Sequence, residues 1–293
     1  MRNRFYDTVT DLLDTHPRLT VVLADIGIER LRDAERRHPD RVVNVGIREQ
    51  AMVGVAGGLA LTGMRPVVHT YAPFLVERAY EQVKLDLGHQ DVGALLVSTG
   101  ASHDAAEEGR THQAPADVAL MAALPGWTVH APGHPAELEQ LVRRAADTDE
   151  RVYVRMSTRA NASARTADGR VQLVRDGTGP LVLAVGPVLD DVLAACAGLP
   201  VRVAWTATPH PLDAAGLRAA AGDEQRVAVV EPYLAGTSAA AVAEAFADRP
   251  VRAVHVGVRR DVEVRRYGTP ADHDAVHGLD PTGIRRRVAT LLR

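Results

Sequence analysis

The stretch GIREQAMVGVAGGLALTG (residues 46–63), followed at once by RPVVHTY (residues 65–71), decides the architecture. The first segment reads as a helix, with Glu49 in its opening turn, where the helix dipole favours a carboxylate. The second, rich in β-branched residues, reads as a buried strand. Working outward, the alternation continues. Upstream, LTVVLAD (residues 19–25) is a buried strand. Downstream, FLVERAYEQVKLDLG (residues 74–88) is a helix, and GALLVSTG (residues 93–100) is a strand that opens into a polar loop. A helix (residues 115–125), a short strand (residues 127–132), a helix (residues 134–148) and a strand (residues 151–157) follow. The second of these helices starts near Pro135 and is acidic early and basic late, as its dipole favours. TRANASARTADGR (residues 158–170) has no apolar period and reads as a linker.

Beyond it the pattern restarts with LVLAVG (181–186), a helix to Cys196, VRVAW (201–205) and RVAVVEP (226–232). An Ala-rich helix (237–248), the strand VRAVHVGV (251–258) and a terminal helix (281–293) complete it. Strands alternating with helices predict parallel sheets with helices on both faces. The expected fold class is α/β: two consecutive three-layer α/β/α domains, residues 1–160 and 171–293, joined by a linker over 161–170. In such sheets ligands sit beyond the carboxyl ends of the strands, which points to the segments after Asp25, Tyr71 and Gly100.

Composition narrows the function classes. A chain of 293 residues, 46% apolar, has the length of two domains and needs no disulfide staples. Its one cysteine, Cys196, cannot form an intrachain bridge, so a reducing cytoplasm is the expected compartment. A net charge of −3 argues against a nucleic-acid binder. No apolar run approaches the roughly 20 residues of a membrane span, and the N-terminus has no signal-peptide core.

Four groups of residues invite chemistry. Glu49 opens a helix that also holds Gly54, Gly57 and Gly58, each costing roughly 1 kcal/mol against Ala in a helix interior. With Ala51, Ala56 and Ala60 they make a small-residue surface suited to close approach of another backbone, for which a second subunit's helix is the natural candidate. Tyr71, Phe74 and Tyr80 fall within ten residues of a chain only 4% aromatic, with Arg78 among them. Tyr71 and Phe74, at a strand end, suit the stacking of a flat ring, while Tyr80 reads as core. The loop STGASHDAAEEGRTHQAP (residues 98–115) carries His103, Glu108 and His112. The two histidines are nine apart and make no compact zinc spacing, so no metal ligand is expected in this chain. Finally, Arg155 and Arg159 read as a fork for an anionic group or as a solvated pair.

Taken in order, LADIG, VVNVGIREQAMVGVAGGLALTGMRPVVHTY, FLVERAYEQVKLDL, EEGRTHQAPADVALMAALPGWTV, VVEP and HGLDPTGI resemble the C-terminal two-thirds of a transketolase. The resemblance covers almost the whole chain, and GIREQ and GxTHQ in this order are its most specific motifs. It implies a pyrimidine-binding domain plus a C-terminal domain of a thiamine diphosphate (ThDP) enzyme. Glu49 then matches the glutamate that shares a proton with N1′ of the aminopyrimidine and so favours ionisation of the thiazolium. Tyr71 and Phe74 match the ring-packing positions, with Arg78 beside them, and Asp25 an acidic position near the cofactor. His103 and His112 resemble the pair that binds substrate hydroxyls and assists proton transfer. Arg159 matches the arginine that holds a sugar phosphate, with Arg155 a competitor, and either Arg2 or Arg4 a second one near the N-terminus. Two departures bear on sugar specificity: the segment from His103 to His112 is three residues shorter than usual, and Glu108 stands where the family usually has Asp.

The family holds diphosphate and its metal ion, Mg²⁺ or Ca²⁺, with a GDG…N motif in a separate N-terminal domain, and this sequence contains no GDG. The resemblance therefore implies the small subunit of a split, two-component transketolase. A large subunit would carry the GDG…N motif, the assembly would be α2β2, and the substrates would be sugars or sugar phosphates. The alternatives are a subunit similar to deoxyxylulose phosphate synthase or to a 2-oxoacid dehydrogenase beta chain, and a non-catalytic assembly subunit. The GRTHQ loop favours transketolase over the dehydrogenase.

Overall fold

The structure, a computed structural model, describes all 293 residues. Its first sheet contains β1 (Leu19–Leu23), β2 (Val42–Asn44), β3 (Arg65–Tyr71), β4 (Leu95–Thr99), β5 (Trp127–His130) and β6 (Arg151–Arg155). Their order is β2-β1-β3-β4-β6-β5, with every pair parallel. β1 and β4 are buried at every position, as a sheet covered on both faces requires. The second sheet contains β7 (Gln172–Arg175), β8 (Leu181–Val185), β9 (Arg202–Thr206), β10 (Arg226–Leu234) and β11 (Arg252–Val258). Its order is β11-β10-β8-β9-β7, parallel except for the antiparallel edge strand β7. The architecture is therefore α/β with mostly parallel sheets, as the alternation predicts.

Several elements lie outside the expected set. A helix over Arg2–Thr15 buries Phe5, Tyr6, Val9, Leu12 and Leu13 and packs on the helix Pro135–Ala146. The short edge strands β2 and β7 and the helices Ile28–Arg37, Ala214–Ala221 and Pro270–His277 also lie outside it. The helix expected over 74–88 forms as two π-helical turns, Pro73–Arg78 and Val83–His89, around a short α-helical turn. Wider turns of this kind concentrate at functional sites. The segment read as a linker is tied down: Asn161 is buried and donates to the Gly186 carbonyl at 3.0 Å, and the Arg165 amide donates to Glu137 at 2.9 Å.

The small-residue helix, Glu49–Leu61, needs a corrected account. A Cβ on Gly57 would meet the Asp86 carbonyl oxygen at 2.6 Å, and one on Gly54 would meet the Asp86 carboxylate at 3.3 Å. Packing within the chain thus explains Gly57 fully and Gly54 in part. A Cβ on Gly58 would meet nothing within 4 Å. Gly58 shares an exposed face with Ala51, Val55 and Leu61, and Ile47 stands 72% exposed just before the helix.

Candidate active site

The crossover order sets β1, β3 and β4 side by side, so the segments after Asp25, Tyr71 and Gly100 share one sheet edge. Asp25 adopts a left-handed backbone, φ 62°, and is clasped by Asn44 at the end of β2. The Asn44 amide donates to its carboxylate at 2.9 Å, and its own backbone N–H donates to Asn44 Oδ1 at 2.9 Å. At Gly100, φ 73°, a Cβ would lie 2.5 Å from the Tyr71 ring, so only glycine leaves room for that ring.

Tyr71 closes β3, and Phe74 follows in the first π-helical turn, with ring centroids 6.0 Å apart. His112, from the loop after β4, stands edge-on to both, at 5.3 Å from Tyr71 and 5.1 Å from Phe74. Glu108 pairs with His112 Nε2 at 2.9 Å. Arg78 lies over the Phe74 face at 4.1 Å and donates through Nη1 to Glu49 Oε2 at 2.8 Å. Glu49 is 1% exposed at the first turn of its helix, whereas the Arg78 side chain is 41% exposed. A buried carboxylate, two aromatic rings and a histidine–carboxylate pair thus meet through Arg78 at the carboxyl edge of the sheet. Burial raises the phenol of Tyr71 above its ordinary value.

A chain of hydrogen bonds, exposed at Arg2 and buried from Tyr6 onward, runs to His69 on the same strand as Tyr71. Arg2 Nε donates to the Tyr6 hydroxyl at 3.1 Å, which lies 3.1 Å from His69 Nε2, while His69 Nδ1 sits 2.8 Å from the Val97 carbonyl oxygen. The last contact places the ring proton on Nδ1, so Nε2 accepts from Tyr6. Burial holds the His69 imidazole neutral, at about 4. Of the two N-terminal arginines, Arg2 points toward Tyr6 and Tyr71, and Arg4 points toward Glu139.

His103 and Arg159 lie in a different cluster. His103 Nε2 bonds Asp274 Oδ1 at 2.9 Å, and Arg159 takes the other Asp274 oxygen, with Asp191 at 3.7 Å. His103 also stacks on His273 and His277, at 5.4 and 5.8 Å. The two histidines of the loop therefore have different neighbours, His112 the aromatic wall and His103 the Asp274 cluster. Arg155 is not solvated: it is fully buried and bonds Asp117 through Nε at 2.7 Å. Tyr153 and Ser98 extend that network, and Arg155 also reaches Ser102, so it is not free for an anionic ligand. Three residues absent from the sequence expectations matter here. Asn44 clasps Asp25, and His273 and His277 stand four apart on one helix, a spacing visible in ADHDAVHG.

The fold is that of a transketolase-type pyrimidine-binding domain followed by a second α/β unit. The family model described as "Transketolase, pyrimidine binding domain" matches residues 1–162. The chain belongs to the transketolase family. It is 48% identical over 295 residues to an "Uncharacterized 33.6 kDa protein in fasciation locus" from Rhodococcoides fascians, covering 100% of this chain and 95% of that one. It is 30% identical to an apulose-4-phosphate transketolase subunit of Phocaeicola vulgatus, covering 97% and 94%. Among solved structures it is similar to "Split gene transketolase, inactive beta4 tetramer", with a TM-score of 0.84 and 26% identity over 99% of this chain and 97% of that one. No helix is long and apolar enough to cross a membrane.

Proposed function

We propose that this chain is the small, C-terminal subunit of a heteromeric ThDP-dependent transketolase. It would transfer a two-carbon ketol unit from a ketose to an aldose acceptor, and act only with a partner that carries the diphosphate-binding domain. The observation that carries the reading is Glu49, buried at a helix start and linked by Arg78 to the Tyr71–Phe74–His112 wall. That arrangement suits a flat aminopyrimidine: a carboxylate for a ring nitrogen and two aromatic rings to pack against. When bound, ThDP supplies an ionisable carbon and an electron sink.

The chain's own residues then have separable tasks. Glu49 holds a proton at the pyrimidine N1′, and Arg78 orients Glu49. Tyr71 and Phe74 pack the ring, and Asp25, clasped by Asn44, borders the cofactor. His112, backed by Glu108, contacts substrate hydroxyls and moves a proton. His103 and Arg159 are engaged by Asp274, so the substrate end is assigned to His112 and Glu108. The diphosphate and its Mg²⁺ or Ca²⁺ are assigned to the partner's GDG…N motif, since a hard ion takes oxygen ligands and the wall offers none in a cluster.

Two relatives support a partner. One is named as a subunit of a transketolase, and the solved protein is described as split and inactive as a β4 tetramer. The exposed face of Ala51, Val55, Gly58 and Leu61 with Ile47 is the proposed contact, in an α2β2 assembly.

The test is a titration of ThDP and Mg²⁺ into this chain, into a candidate large subunit chosen for a GDG motif with a downstream Asn, and into their mixture. Tight binding and ketol transfer only in the mixture are expected. Tight binding to this chain alone would overturn the shared site. In the mixture, ketose donors are expected to turn over and pyruvate is not; the opposite result would favour the deoxyxylulose phosphate synthase or dehydrogenase reading.

A further inference from the structure

The cluster on the far side of the His112 loop has its own chemistry. His103 comes from the loop after β4, and His273 and His277 come from the helix Pro270–His277 in the second half of the chain. All three are buried, and one ligand nitrogen from each lies within 4.8 Å of the others. Tetrahedral zinc holds nitrogens at about 2.0–2.1 Å, which places them about 3.4 Å apart. Rotating the three rings so that each nitrogen moves inward by about 0.8 Å satisfies that geometry.

The hydrogen bonding around the rings fits the same use. His103 gives Nε2 to Asp274, which leaves Nδ1 with the free lone pair, and Asp274 is itself held by Arg159. A carboxylate that fixes the tautomer and orientation of a ligating histidine is the usual outer partner of a metal ligand. His273 Nε2 is buried with no hydrogen-bond partner. A buried polar atom left bare costs about 1–3 kcal/mol, and a metal ion would supply the missing contact. His277 Nδ1 lies 3.3 Å from the Arg259 amide, a long contact that ligation through either nitrogen would give up. A cavity of ≈ 410 Å³ borders all three rings, and Arg110, Arg259 and Arg260 line it together with Asp261 and Glu263. Asp261 pairs with Arg259 and Glu263 with Arg110, so the cavity leaves a fourth position for water or for an anionic ligand that the arginines would also hold.

We propose that His103, His273 and His277 form a transition-metal site of the zinc type, which joins the loop after β4 to the C-terminal half. Three imidazoles select a borderline ion such as Zn²⁺ over Mg²⁺ or Ca²⁺. The site is therefore separate from the diphosphate-bound ion of ThDP chemistry. By fixing His103 it also fixes one end of the loop that carries Glu108 and His112.

The test uses the full, tag-free chain, stripped by chelator and dialysed against Zn²⁺. One zinc retained per chain is expected, with a rise in thermal midpoint on loading. Co²⁺ in place of zinc is expected to show the strong visible absorption of tetrahedral coordination. H273Q with H277Q should abolish stoichiometric binding, and D274N should weaken it about 10–100-fold while all three imidazoles remain. Substoichiometric zinc in the unmutated chain, or an octahedral cobalt spectrum, would overturn the proposal without reference to any variant. Unchanged zinc binding in a folded H273Q/H277Q chain would overturn it as well.

Discussion

Replacing Glu49 with Gln separates chemistry from stability, because the two effects have different sizes in this structure. Glutamine keeps the shape and retains one oxygen for Arg78, which donates to Glu49 Oε2 at 2.8 Å. What is lost is a charge in the first turn of a helix, worth about 0.3–1 kcal/mol, and an ion pair with a half-open partner, worth about 0–1 kcal/mol. Arg78 is 41% exposed, so its freed charge remains hydrated. The expected destabilisation is therefore about 1 kcal/mol. Asp117→Asn is the contrast. Its partner Arg155 is fully buried at 2.7 Å, and breaking such a pair leaves an uncompensated charge at a cost of about 3–5 kcal/mol.

For activity the ranking reverses. Loss of a positioned acid–base group costs about 10²–10⁴-fold, equivalent to about 3–5 kcal/mol of barrier. Urea unfolding of each chain alone and ketol transfer by the reconstituted complex measure the two quantities. Glu49→Gln should stay folded with turnover down at least about 100-fold; Glu49→Ala, which also removes the oxygen for Arg78, should abolish turnover in a chain that still folds. Turnover of the folded Glu49→Gln complex within about fivefold of the parent would refute the assigned role.

Two further predictions concern stability and assembly. His69 and His130 are buried, and burial lowers both from 6.5 to about 4. The unfolded chain takes up their protons as pH falls through 6.5 while the folded chain does not, so stability falls between pH 6.5 and 4 and is unaffected by them above that window. The loss should be about 2 kcal/mol per histidine at pH 5, read as a lower urea midpoint; a midpoint unchanged from about pH 7.5 to 5 would contradict it. Gly58→Ala should stabilise the isolated chain by about 0.5–1 kcal/mol, because nothing in the chain meets the added methyl, whereas Gly57→Ala should destabilise it against Asp86. If the partner packs on this face, Gly58→Ala also weakens subunit association in sedimentation; equal affinity would move the interface elsewhere.

What was legible in the sequence follows from the range of the interactions involved. β3 appears over the same seven residues as the apolar run 65–71, because a strand buried on both faces leaves a continuous local signal. Glu49, Tyr71 and Phe74 were legible for a related reason: each sits where a helix or strand begins or ends, and those boundaries are written locally. Partner choice was not. His103 and His112 lie nine residues apart in a loop that doubles back, with an antiparallel bridge between Ser102 and Ala114, and they face different neighbours. His112 meets rings from β3 and its following turn. His103 meets a helix about 170 residues further on, joined to it by the contact with Asp274. Arg155 shows the same limit. Its sequence neighbourhood reads as a polar strand end, and only the approach of Asp117, 38 residues away, turns it into a buried ion pair. The helix over Arg2–Thr15 is written locally as well, since Phe5, Val9, Leu12 and Leu13 carry its apolar face. Close approach misleads in the opposite direction: small residues on a helix announce a neighbour without saying whose. Asp86 of the same chain accounts for Gly57, so the argument for a second subunit rests on Gly58 and the exposed apolar residues beside it.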